Sequence, residues 1–130
     1  MLIELKMLGW SVVLGLVYVM VAATLITQQR GLKWNASARD GEPKPLTGVA
    51  ARAARASWNF LETFPFFAAL VLAVVIAGKN THHTELGAEL YFWGRVAYLP
   101  IYLLGIPYLR TLVWALSVIG MLHLLPPLLH

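Results

Sequence analysis

The chain has no cysteine among its 130 residues. That excludes a disulfide, a thiolate metal site and a protein thiol as nucleophile. Charge is also scarce. Charged residues make up 12%, where a soluble domain carries about 25%. Ten Lys and Arg face six Asp and Glu, for a net charge of +4. The basic residues form no dense run beside a soluble fold, so a nucleic-acid role has no support. There is no nucleotide-binding glycine motif. Gly87 and Gly94 fall inside an apolar segment and read as packing positions. What the chain does have is apolar surface: 59% of its residues are hydrophobic. This composition predicts an integral membrane protein with one domain over residues 1–130.

Four apolar segments follow one another. Residues 7–27 make a run of 21, long enough to cross a hydrocarbon core of about 30 Å. Lys6 before it gives the look of a secretory leader, but the run is long for one and Ala22-Ala23 makes a poor cleavage site. It is therefore expected to be a retained first helix. Residues 28–48 hold Arg30, Lys33, Arg39, Asp40, Glu42 and Lys44 among prolines and glycines, which predicts a loop. A second helix is expected over residues 49–78. Pro65 lies inside it as a kink, and Ala69, Ala73 and Ala77 repeat at a spacing that suits close helix packing. The third is expected over 84–105, with Glu85 and Glu89 in its first turns, where carboxylates suit the helix dipole. The fourth is expected over 108–125, ended by Pro126-Pro127. Short connections predict an all-α, antiparallel four-transmembrane-helix bundle with both termini on one side. Arg30, Lys33, Arg39, Lys44, Arg52, Arg55 and Arg110 fall on the side of the first and third loops, against Lys6 and Lys79 on the other. That bias predicts cytoplasmic first and third loops.

The second segment carries an oddity. Arg52, Arg55, Asn59 and Glu62 are spaced three, four and three. At 100° per residue they share an arc of about 80° on one helix face. Such a stripe is costly in a membrane unless it faces a cavity or a partner. The third segment has a second stripe in Arg95, Tyr98 and Tyr102. Glu62 and Arg95 each lie about 15 Å from the same surface at 1.5 Å rise per residue. This depth predicts a Glu62–Arg95 pair, with Asn59 near Tyr98, Arg55 near Tyr102, and Arg110 capping the set. An ion pair and a helix–helix hydrogen bond would explain either contact alone. One glutamate does not balance Arg52, Arg55, Arg95 and Arg110, and an anion with carboxylates suits the arginine fork. His82, Glu85 and Glu89 have helical spacing, but turn histidines and helix-start carboxylates account for them without a metal.

Arg52-x-x-Arg55-x-x-x-Asn59-x-x-Glu62-x-x-Pro65 resembles the signature of the MAPEG family, the membrane-associated proteins in eicosanoid and glutathione metabolism. Its spacing is closest to the leukotriene C synthase branch, although Thr63 stands where that branch has a tyrosine. Arg95-Val-Ala-Tyr98-Leu-Pro-Ile-Tyr102, then Pro107-Tyr-Leu-Arg110-Thr111, resembles the family's third and fourth helices. The short chain and loops look bacterial, which implies an inner-membrane location. The resemblance implies a homotrimer with glutathione, as co-substrate, held between subunits and open to the cytoplasm. By position, Arg55, Asn59, Glu62, Tyr98 and Tyr102 would hold glutathione, and Arg52 and Arg95 are counted with them. Arg110 would lie near the sulfur and favour the thiolate as the catalytic residue. No first-loop arginine aligns clearly with the family's other functional arginine, and both Arg30 and Arg39 are candidates. The activity implied is a transferase or peroxidase acting on lipophilic electrophiles. The alternative is a non-catalytic family member that binds a lipid or a partner protein.

Overall fold

An apolar run in a bilayer becomes a helix because lipid offers no partner to a free N–H or C=O. The computed structural model, which covers residues 1–130, places helices α1 (Ile3–Arg30), α2 (Leu32–Ala36), α3 (Gly48–Ile76), α4 (His82–Leu103), α5 (Pro107–Leu124) and α6 (Pro126–Leu129). Three stretches are long and apolar enough to cross a membrane: Ile3–Arg30, Gly48–Ile76 and Pro107–Leu129. The fourth long helix, α4, falls short of that composition. It is 22 residues long and carries two histidines, Glu85, Glu89 and Arg95. The expectation of four membrane-length apolar helices thus becomes three plus one shorter, more polar helix.

α1 runs past the apolar stretch at both ends. Glu4 lies in its first turn, where a carboxylate suits the positive helix end, and Arg30 in its last turn suits the negative end. Gly31, with φ of +93°, stops it. The polar connection contains the short helix α2. Gln29 clamps its far end: its amide donates to the Thr47 carbonyl at 2.7 Å and accepts from the Thr47 N–H at 3.1 Å. α4 opens on a reciprocal cap. Thr81 and Thr84 each accept a hydrogen bond from the other's backbone N–H.

α4 packs most extensively on α5, and α1 on α3. The α4–α5 seam is set by Gly87 and Gly120. A Cβ on Gly87 would stand 2.5 Å from the Gly120 carbonyl oxygen, so the two backbones approach as only glycine allows. Aromatic rings fill the interior between α1, α3 and α4. Tyr18 and Phe60 lie 4.7 Å apart by centroid, and Phe67 stacks on Tyr91 at 3.9 Å. α3 stays helical past Pro65. Near it, the Thr63 and Tyr91 hydroxyls share a hydrogen bond at 3.0 Å. The Ala69–Ala73–Ala77 repeat does not pack inside the subunit; all three are exposed.

Candidate functional site

The end of the bundle where α4 stops and α5 starts gathers three guanidinium groups. Gly105, at φ of +73°, ends α4, and Pro107 opens α5 at a position where its missing N–H is no loss. Arg52, Arg55, Tyr102 and Arg110 line a cavity of about 300 Å³ over this elbow. Arg52 Nε donates to the Leu103 carbonyl at 3.0 Å, where the C-terminal end of α4 welcomes a cation. Arg55 Nε donates to the Tyr102 hydroxyl at 3.0 Å. The Arg110 guanidinium lies 4.9 Å from the Tyr102 ring centroid. Tyr102 is thus held by two arginines, one at its hydroxyl and one at its ring.

No carboxylate lines this cavity. Arg110 also stands in the first turn of α5, the positive end of a helix dipole, where a cation is the less favourable sign. Like charges at this density repel, and an anion between them removes the repulsion. Arginine's planar fork, with five donors, matches a carboxylate better than any other side chain does.

The other stripe residues lie elsewhere. Arg95 is fully buried. Its Nη1 donates to Asn59 Oδ1 at 2.8 Å, while Nε and Nη2 have no hydrogen-bond partner. Its charge rests instead against aromatic faces: Tyr98 at 4.4 Å, Phe60 at 5.4 Å and Tyr18 at 5.7 Å from guanidinium carbon to centroid. Tyr98 is buried behind Tyr102, ring edge to face at 5.4 Å, and its hydroxyl is without a partner. Glu62 is exposed on the subunit surface and takes no part in binding Arg95. The expected Glu62–Arg95 pair is therefore replaced by Asn59–Arg95.

Helix phase explains the exchange. Relative to Arg52, Asn59 lies about 20° round the helix, while Arg55 and Glu62 lie about 60° and 80° round. Arg52 and Asn59 are half-buried, and Arg55 and Glu62 are exposed at the arc's outer edge. Arg55 is long enough to reach back to Tyr102. Glu62, ten residues from Arg52, stays outside. Of the eight residues expected at the site, the fold brings Arg52, Arg55, Tyr102 and Arg110 to one cavity. Asn59, Arg95 and Tyr98 form the layer beneath, and Glu62 faces outward.

Neither first-loop arginine joins the cavity. Arg30 Nε donates to the Lys44 carbonyl at 2.9 Å, and Arg39 binds Asn35. Tyr18 was missed by the sequence reading. Its hydroxyl donates to the Arg95 carbonyl at 2.5 Å, tying α1 to α4 at the buried charge. The signal was available, since Tyr18 is the one tyrosine in the first apolar run. Glu4 and Thr84 were also missed: Thr84 Oγ1 and Glu4 Oε2 lie 2.6 Å apart in the core. No group of three or more His, Asp or Glu side chains is arranged to hold a metal, and His82, Glu85 and Glu89 do not converge.

No curated protein and no solved structure matches the chain significantly. The MAPEG family model matches residues 7–126. With three membrane-length helices and that match over nearly its whole length, the chain is a multi-pass integral membrane protein and belongs to the MAPEG family.

Proposed function

We propose that this protein is a glutathione-dependent transferase, with peroxidase chemistry open to the same site, acting on lipophilic electrophiles that arrive through the bilayer. The observation that carries the reading is the cavity in which Arg52, Arg55 and Arg110 meet without a carboxylate. Glutathione carries two carboxylates and a thiol. Arg52 and Arg55 fit the carboxylates. Arg110, at the positive end of α5, fits the sulfur, since a neighbouring cation favours the thiolate that acts as nucleophile. The thiolate attacks an electrophilic carbon, a carbon–sulfur bond forms, and the leaving group departs with its electron pair. With a peroxide, the thiolate attacks the O–O bond and takes the terminal oxygen as a sulfenic acid, the alkoxide leaves and is protonated to the alcohol, and a second glutathione condenses with the sulfenic acid to give the disulfide and water. Arg95, sealed under Tyr98, would act at a distance as a fixed positive charge rather than as a ligand.

The exposed face of α3 supports assembly with further copies, and we take the assembly to be a trimer. Glu62 lies there with Trp58 and Phe66, which are 69% and 66% exposed, beside Ala69 and Ala73. A carboxylate on a membrane helix needs a partner, and small residues let a neighbouring helix come close. Glutathione would then bind between subunits, with Glu62 completing the site. The excess of Arg and Lys at the cavity end favours the cytoplasmic side for it. Motif spacing favours the leukotriene C synthase branch, and the short loops a bacterial inner membrane.

Isothermal titration of the reconstituted protein with glutathione tests the reading. Binding in the millimolar range or tighter, weakened at least about tenfold by Arg55→Ala, is expected for loss of a charge-assisted contact. No binding at millimolar glutathione would defeat the enzyme reading and favour a non-catalytic protein that binds a lipid or a partner.

A further inference from the structure

A second cavity is at the other end of the bundle. It is an open cleft of about 630 Å³ where α4 begins and α5 ends, and neither the arginine site nor the α3 face reaches it. Three imidazoles line it, from His83 on α4, His123 near the end of α5, and His130. Thr81 lies beside them, and Ile119 and Leu122 form an apolar wall. Ile119 and Leu122 are 43% and 56% exposed on the outer surface of α5. The lining is mostly apolar, Pro126 and Pro127 included, with the imidazoles and Thr81 as its polar groups, and it continues into the apolar flank that a membrane protein turns to lipid.

We propose that this cavity holds the phosphate of an acidic membrane lipid when its histidines are protonated, with an acyl chain along Ile119 and Leu122. The chemistry of His123 carries the pH dependence. Its Nδ1 lies 2.8 Å from the Ile119 carbonyl oxygen. A carbonyl only accepts, so Nδ1 carries the hydrogen. Nε2 of the neutral ring is then an acceptor and has nothing to offer a phosphate oxygen. Protonation turns it into a donor and adds a positive charge.

The charges around the cavity favour an anion. Lys79 Nζ donates to the His130 backbone oxygen at 3.0 Å, so its ammonium lies beside the cavity with that oxygen as its partner. His83 is the second residue of α4, at the positive end of that helix dipole. His82 follows the same turn, its ring 6.4 Å from that of His83. The side-chain carboxylates of this end lie off the cavity. Glu4 is buried against Thr84, Glu85 is half-buried a turn further along α4, and Glu89 opens on a separate groove between α4 and α5. Lys6 opens onto another face of α1. A zwitterionic lipid brings its own ammonium to a rim that already holds a lysine, so an acidic headgroup is the better match.

Native mass spectrometry of the full chain tests this, with equal phosphatidylglycerol and phosphatidylcholine in the detergent. At about pH 5.5 the protein should retain phosphatidylglycerol, and at about pH 8 retention should fall about tenfold, the order set by charge-assisted hydrogen bonds. His83→Gln with His123→Gln and His130→Gln should remove most of the pH dependence. The single His123→Gln variant, checked for helical content by circular dichroism, should weaken it should the triple variant misfold. Imidazole nuclear magnetic resonance shifts on adding inorganic phosphate separate a free ion from a lipid. Equal retention of both lipids, retention unchanged between the two pH values, or full retention by His123→Gln would each overturn the proposal. So would shifts with inorganic phosphate in a protein that holds no phosphatidylglycerol. None of these outcomes bears on glutathione at the opposite end.

Discussion

Replacing Asn59 with leucine removes the one hydrogen-bond acceptor that the buried Arg95 side chain has. The guanidinium carries five donors, and of its three nitrogens only Nη1 finds a partner, Asn59 Oδ1 at 2.8 Å. Leucine is close to asparagine in size and leaves no room for a substituting water. Two magnitudes compete. Hydrogen bonds between membrane helices average about 0.6 kcal/mol, because the separated helices find other partners. A hydrogen bond to a charged group is worth about 1.5–3 kcal/mol, and the full desolvation penalty applies when its partner alone is removed. The second figure governs here, since Arg95 is wholly enclosed. The aromatic faces at 4.4, 5.4 and 5.7 Å remain after the change and limit the loss. Asn59→Leu is therefore expected to destabilise the bundle by about 1.5–3 kcal/mol in a dodecyl sulfate unfolding titration. Replacing Arg95 with methionine in the same chain should recover most of that, because removing both partners leaves no orphan. A loss below about 0.5 kcal/mol for Asn59→Leu, the level of an ordinary surface change, would refute the argument. So would a double variant that loses the sum of the two single effects.

Gly87→Ala should cost about 1–3 kcal/mol in the same titration, since its methyl would lie 2.5 Å from the Gly120 carbonyl oxygen and neither backbone yields easily. Gly9→Ala, where a Cβ meets nothing within 4 Å, should be neutral or stabilising, and a matching loss there would refute the seam. Tyr18→Phe should cost about 0.5–1.5 kcal/mol by removing the hydrogen bond to the Arg95 carbonyl, read by the same unfolding curve. Arg55→Lys keeps the charge and loses the fork at Tyr102, so glutathione affinity measured by titration calorimetry should fall about tenfold rather than persist.

What the sequence revealed follows from where its signals are local. Apolar runs announced α1, α3 and α5 because hydrocarbon thickness sets their length. α4 was harder to judge, since Glu85, Glu89 and Arg95 interrupt its apolar face. Spacings of three and four brought Arg52 with Arg55, and Tyr98 with Tyr102, to common faces. Over ten residues the phase drifts, and Glu62 ends about 80° from Arg52, at the outer edge of the helix. Depth matching placed Glu62 level with Arg95 but did not reveal which flank of α3 meets α4. Asn59, at about 20°, took the partner instead. Tyr18 and Glu4 lay beyond local reading because their partners, Arg95 and Thr84, are 77 and 80 residues away.

The central claim is that Arg110 and its neighbours favour a thiolate on a bound glutathione. Ultraviolet difference absorbance of the reconstituted protein with saturating glutathione at neutral pH measures that directly. A thiolate band is expected in the unaltered protein and absent from Arg110→Ala, with glutathione still bound through Arg52 and Arg55. Bound glutathione with no thiolate band in the unaltered protein, or an undiminished band in Arg110→Ala, would contradict the account.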